Sequence, residues 1–311
     1  MGKTLYTSYS LFSTLGMCPR KWQLSRKYEP KVKAKALAEG DVFHQVLAKF
    51  YTQADQAQGM GVFDIIHQDY LDEAKRGGLK DDQIEQLEGK FEALRGILVA
   101  YWDKIAQHDL KRFKFLAIEK RFEIRLSRDL ILHGYIDGLW EDQDSGVKYL
   151  VEHKYKTDHQ EELMALDLQI SLYTLAMVPE YGILPTLYNV ARKPLQKRKA
   201  GEPAGAFARR VVEAINEELE VFQYHPTEIQ SRFFVRQRYS RGKRDLEIAL
   251  EQTKAMAKAM RAFERKPETI WRNVGEHCLY MCPFKSICLE EDPILVEQFY
   301  NEKYKEKSVT I

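Results

Sequence analysis

Residues 134–138 read Gly-Tyr-Ile-Asp-Gly and residues 151–156 read Val-Glu-His-Lys-Tyr-Lys, with the run EDQDSG at 141–146 between them. Around these words, 130–140 (LILHGYIDGLW) and 147–155 (VKYLVEHKY) alternate or stay apolar, which is strand behaviour. The gap is a hairpin turn by composition. Asp137 ends the first strand. Glu152 and Lys154 stand two apart on the second, and strand side chains alternate faces, so these two point the same way. Val147, Tyr149, Val151 and His153 form the opposite face, which reads as core. Two carboxylates and an ammonium at one sheet edge can hold a divalent cation and polarise a water beside it. The plainer reading of the same three residues is a salt bridge on an open sheet face.

The pattern outward from this stretch is mixed. Before it, 36–56 carries Leu37, Phe43, Val46, Leu47 and Phe50 at helical spacing, and 81–106 carries Ile84, Leu87, Phe91, Leu94, Ile97 and Tyr101. Asp81 and Asp82 are candidate starts for the second helix. A further strand is expected at 113–126. After the hairpin come a helix at about 161–178 with Leu163, Leu166, Ile170 and Met177 as its stripe, a strand at 186–191, and helices at about 208–223 and 243–264. Strands, a helix and a returning strand make an α/β fold with a mixed central sheet flanked by helices.

The chain has 311 residues, 44% hydrophobic and 12% aromatic, enough for a sizeable core. Its net charge of +2 neither argues for nor excludes a polyanionic partner. No run reaches the ~18 apolar residues of a membrane span. The start MGKTLYTSYSLF lacks a secretory h-region, and Tyr6 stands where a myristoylation signal needs Ser or Thr. The expectation is a soluble, cytoplasmic protein.

The arrangement resembles the PD-(D/E)XK nuclease superfamily, and within it the RecB-like branch. Gly134-Tyr-Ile-Asp137 matches the first acidic motif and Glu152-His-Lys154 the E-x-K motif. Gln169 and Tyr173 match a Q-x-x-x-Y motif, and Gly40-Asp-Val-Phe-His44 a G-x-x-x-H motif. Each is weak alone. In this order and context the set is specific, and with the cysteines it touches residues 18 to 288. The resemblance implies a restriction-endonuclease-like core. It implies a metal-dependent DNA nuclease in which water attacks a phosphodiester. His44, Asp137 and Glu152, with the backbone carbonyl of His153, would bind Mg²⁺ or Mn²⁺, and an imidazole ligand tilts preference toward Mn²⁺. Lys154 would orient and help deprotonate the water and offset phosphate charge. Gln169 and Tyr173 share a helix face and would reach toward the metal and the DNA backbone.

Cysteine occurs only at 18, 278, 282 and 288. In a cytosolic chain, thiols gathered in two clusters suggest a metal site over disulfides. Four thiolates suit a cubane 4Fe-4S iron–sulfur cluster or, as runner-up, tetrahedral zinc. One early and three late cysteines resemble the iron–sulfur nucleases of the branch, including the AddB-type and CRISPR-adaptation nucleases. The C-x-x-x-C at 278–282 departs from their usual C-x-x-C. The organisation implied is a single nuclease domain over 1–311. It comprises a helical accessory section at 26–110, a catalytic sheet core at 111–195 and a cysteine-cluster tail at 265–311 joined to Cys18.

Basic segments at 192–210 (Arg192, Lys193, Lys197, Arg198, Lys199, Arg209, Arg210) and 236–244 (Arg236, Arg238, Arg241, Lys243, Arg244) could follow a phosphate backbone, as could Arg20-Lys21-Trp22. Solvated charge is the commoner meaning of such runs. No P-loop is present, so unwinding falls to a helicase or recombination partner. The activity expected is exonuclease action on DNA ends in recombination, repair or end processing. The alternative from another class is a non-catalytic DNA-binding or scaffolding protein that keeps the fold.

Overall fold

The computed structural model describes residues 4–31, 35–157, 161–164, 166–218, 222–280 and 282–303. In chain order the first elements are β1 (Leu5–Thr7), α1 (Tyr9–Met17), α2 (Pro19–Lys27), β2 (Tyr28–Pro30), α3 (Lys35–Gln53), α4 (Gln56–Arg76), α5 (Asp81–Tyr101) and α6 (Gln107–Arg112). The central group is β3 (Phe113–Ser127), β4 (Leu130–Asp142), β5 (Lys148–Lys156), α7 (Glu161–Met164), α8 (Leu168–Tyr181) and β6 (Thr186–Arg192). There follow α9 (Ala204–Glu218), β7 (Ile229–Gln230), β8 (Phe234–Tyr239), α10 (Lys243–Arg265), α11 (His277–Tyr280), α12 (Pro293–Phe299) and β9 (Tyr300–Glu302).

Seven strands form one mixed sheet in the order β1-β4-β5-β6-β8-β7, with β3 also paired to β4, and helices flank it. β4 and β5 are antiparallel, as the hairpin reading required, and Asp142 closes their turn by accepting the N–H groups of Asp144 and Ser145. β5 and β6 are parallel, so the chain between them must cross over, and α8 does so.

The chain divides into two compact units. One comprises 35–122 and 135–246. Its core is aromatic-rich, with Phe43, Phe50, Phe91, Trp140, Phe207 and Phe234 all buried. The other is assembled from 1–34, 123–134 and 247–311. In it Leu24, Tyr28, Phe284, Ile287 and Tyr300 pack together beside the small β2–β9 ribbon. Among the described residues no helix is long and apolar enough to cross a membrane.

Several expectations need correction. The helix expected over 36–56 ends at Gln53. Ala54 turns to φ +51 and Asp55 caps a second helix, accepting the Ala57 N–H. The side chain of Leu37 lies outside the described residues. Lys80, not Asp81 or Asp82, is the N-cap of α5; the two aspartates sit in its first turn, where the helix dipole favours them. The helix at 161–178 is broken, because Asp167 starts a new one by capping the Gln169 N–H. Leu163 and Leu166 fall before that cap, are 52% and 82% exposed, and form no stripe. Val147 precedes β5 and is exposed, so it leaves the core face. The strands β1, β2, β7, β8 and β9 are too short or too charged to show an alternation.

Candidate active site

β4 and β5 stay in register from Glu141–Lys148 to Gly138–Val151, and Asp137 and Glu152 stand one residue beyond. There the Asp137 carboxylate takes the role of a main-chain acceptor: the His153 N–H donates to its Oδ2 at 2.7 Å. Glycine at 138 leaves room for the Trp140 and Val151 side chains. A Cβ there would lie 2.5 Å from Trp140 Nε1 and 3.2 Å from Val151 Cβ.

Helices bring the rest. On α3, His44 sits on the turn after buried Phe43, and its Nδ1 is 3.4 Å from Asp137 Oδ2. On α8, Gln169 and Tyr173 are one turn apart. Gln169 Nε2 donates to Glu152 Oε1 at 2.7 Å and to the Tyr173 hydroxyl at 3.0 Å, while its Oε1 accepts from Lys154 Nζ at 3.1 Å. Lys154 Nζ also contacts Glu152 Oε1 directly. The structure thus places His44, Asp137, Glu152, His153, Lys154, Gln169 and Tyr173 in one site, but Glu152 hydrogen-bonds Gln169 and Lys154 and is not in the group of ligand atoms that converges on His44 and Asp137.

Glu119 was missed. Together with His44 and Asp137 it forms a group of three ligand atoms all within 4.8 Å of one another. Its φ of +49° lies in the left-handed region, which costs a side-chain-bearing residue about 1–3 kcal/mol. This conformation lifts Glu119 out of the plain alternation of β3, so periodicity gave no signal for it.

The buried charges settle into distinct states. Burial raises Asp137, but His44 beside it, together with His153 and Lys154, outweighs burial and holds the carboxyl below its usual range. Burial and then the Asp137 charge push Glu152 up to about 7, against the pull of Lys154. Burial lowers His44, yet Asp137 reverses this and carries it up to about 8. Burial alone disfavours the Lys154 ammonium, but Glu152 and Asp137 more than restore it, so its pKa lies above the ordinary lysine value. Burial drops His153 to about 3 and keeps it neutral.

This donor set fits a hard divalent ion. Glu152 Oε2 is buried with no hydrogen-bond partner, an orphaned acceptor of the kind a cation satisfies. Oxygen donors with one imidazole suit Mg²⁺ or Mn²⁺.

A pH prediction arises here. Glu152 and His44 both hold protons in the folded, metal-free protein that the unfolded chain releases. Their stabilising effect is complete below the unfolded values, about 4.3 and 6.5, and is lost as pH rises through about 7 and 8. Asp137 and His153, both lowered, change stability only at more acid pH. The Tm in EDTA is therefore expected to fall from pH 6.5 to 8.5. The rise in Tm caused by Mn²⁺ should grow over the same range, because the ion displaces those protons. Thermal melts at both pH values check this; a Mn²⁺ effect that shrinks with pH would contradict it.

The four cysteines are all free and lie in one unit. Asn273 links two of them. Its N–H donates to Cys18 Sγ at 3.5 Å, and Cys278 Sγ donates to its carbonyl at 3.7 Å. Burial raises the Cys282 thiol, and the charges of Lys21, Cys288 and Cys278 also reach it. Arg20 and Arg272 both donate to the Cys288 carbonyl.

The basic segments are less open than the sequence implied. Lys193 pairs with Glu39 at 2.5 Å, Arg210 with Glu202 at 2.8 Å, and Arg198 with Glu88. Arg236 is wholly buried against Asp109, and Arg241 is buried on Ser171 and the Met164 carbonyl. Trp22 is core, packed on Phe263, and presents no face to a ligand. Lys197, Lys199 and Arg209 remain exposed.

A mixed sheet that presents an acid on one strand, Glu-x-Lys on the next and a glutamine from the following helix defines a class of metal-dependent nucleases. The family model of the PD-(D/E)XK nuclease superfamily matches residues 6–289, and this chain belongs to that superfamily. No curated protein matches it.

Proposed function

We propose that this protein is a divalent-metal-dependent deoxyribonuclease of the RecB-like type, acting as an exonuclease on DNA ends. The convergence of ligand atoms from His44, Glu119 and Asp137 within 4.8 Å, with the buried Glu152 Oε2 left without a hydrogen-bond partner, is the observation that carries the reading. His44, Asp137 and Glu152 would hold Mg²⁺ or Mn²⁺, with the His153 carbonyl as the family's usual further ligand and Glu119 as an added carboxylate. A bound ion would supply a water of lowered pKa and neutralise phosphate oxygens. Glu152 and Asp137 hold Lys154 as an ammonium in the metal-free site, and it would orient the water and offset charge building on the phosphate. Gln169 would fix both the carboxylate and the ammonium through its two hydrogen bonds, and Tyr173 fixes Gln169.

Action on ends, and a setting in recombination or repair, follow from the branch resemblance, as does a helicase partner. The test is digestion of end-labelled linear, circular and single-stranded DNA with Mn²⁺ and with Mg²⁺. Linear DNA should be degraded from its ends while circles persist. Equal cutting of circles would replace the exonuclease with an endonuclease.

The same resemblance, with the convergence on Asn273, supports a 4Fe-4S cluster on Cys18, Cys278, Cys282 and Cys288.

A further inference from the structure

Behind the site, a buried ion pair is tied to two of the elements that carry candidate ligands, α3 and β5. Arg236 and Asp109 are 1% and 0% exposed, and the pair is bidentate: Nη1 to Oδ1 and Nη2 to Oδ2, both 2.7 Å. Tyr51 and Tyr224 donate their hydroxyls to the two oxygens of Asp109 at 2.8 and 2.7 Å. Arg236 Nη1 also donates to the Pro226 carbonyl. Replacing such a pair with apolar residues is often neutral or stabilising, so stability alone is a poor reason to keep one. A fully satisfied polar network instead fixes positions.

The network reaches the site along two routes. On the first, Arg236 Nε donates to Asn189 Oδ1 at 2.6 Å, and Asn189 Nδ2 meets His153 Nδ1 at 3.4 Å. The β5–β6 and β6–β8 registers place His153, Asn189 and Arg236 side by side across three strands. His153 in turn clamps Asp137 Oδ2 with its backbone N–H. On the second, Tyr51 lies on α3 seven residues, about two turns, after His44. Its ring stacks on the His153 ring at 5.8 Å and 17°.

We propose that Asp109, Arg236 and Asn189 form a positioning relay that sets His153, and through it Asp137, and so tunes the affinity of the site for its divalent ion. This rests on the reading of Asp137 as a metal ligand. The relay also dictates a tautomer. Asn189 Oδ1 is used by Arg236, so the amide nitrogen faces His153 and can only donate. His153 Nδ1 must then accept, and the imidazole proton sits on Nε2.

Asn189→Leu cuts the link at nearly constant size while leaving the Arg236–Asp109 pair in place. The full chain should lose about 10-fold in Mn²⁺ affinity, read from free Mn²⁺ by electron paramagnetic resonance. The Mn²⁺ needed for half-maximal DNA cleavage should rise in step. A lower Tm in EDTA with Mn²⁺ affinity within twofold of wild type would reduce the relay to packing and overturn it. Wild-type protein that binds no Mn²⁺ would sink the metal site itself, and the relay with it. If the variant does not fold, ¹⁵N-histidine spectra of the wild type decide. The imidazole of His153, assigned through its own amide, should be the neutral Nε2–H form, and a proton on Nδ1 overturns the relay.

Discussion

Asp137→Asn is expected to cut Mn²⁺-dependent DNA degradation by at least about 10³-fold, some 4 kcal/mol of transition-state stabilisation. The substitution keeps the shape and leaves an oxygen for the His153 N–H, so the sheet edge stays closed. What it removes is the negative charge shared between the ion and His44. Mn²⁺ affinity should fall together with activity. Lys154→Met separates the two. It removes no ligand atom and relieves Glu152 of its ammonium, so the ion should still bind while cleavage falls by about 10²–10³-fold. Both variants are compared with wild type on end-labelled linear DNA, with Mn²⁺ binding measured in parallel. Equal DNA loss in wild type and Asp137→Asn would overturn the enzyme reading and leave a DNA-binding scaffold as the alternative.

Anaerobically purified protein should be brown and carry about four iron atoms per chain. Cys18→Ser should bleach it and lower the Tm by about 10 °C or more. The physical reason is chain entropy. The cluster would join Cys18 to Cys278 across roughly 260 residues, a closure worth about 5 kcal/mol in the loop-entropy picture. For a chain of this size each kcal/mol moves the Tm by about 2–4 °C. A serine keeps the hydrogen bond from the Asn273 N–H, so the loss would belong to the cluster and not to local packing. A colourless sample that holds zinc would refute the cluster. Protein with neither metal, and with Cys18→Ser as stable as wild type, would leave the thiols without a structural role.

The sequence carried the site better than its surroundings. Asp137, Glu152 and Lys154 were legible because strands alternate and the hairpin register follows from its turn. Gln169 and Tyr173 were legible because four residues make one helical turn. Glu119 was hidden because its place depends on a left-handed backbone, which no side-chain pattern records. Arg236 read as a surface cation because its partner, Asp109, is more than a hundred residues away in the chain. The same buried arginine disguised β8, since a charged residue in the middle of a core strand breaks the expected pattern. The break before α8 was hidden in the same way: Leu163 and Leu166 keep helical spacing, and only the cap at Asp167 shows that the helix restarts.

The scattered origin of the cysteine site has a consequence during synthesis. Cys18 leaves the ribosome early, and Cys288 follows roughly 270 residues later. At about 5–20 residues per second, the first thiol waits about 15 to 55 s for its last companion. Throughout that interval it is a lone sulfhydryl on a growing chain, open to oxidants and to stray metals. If the four thiols hold the proposed cluster, its assembly has to follow translation.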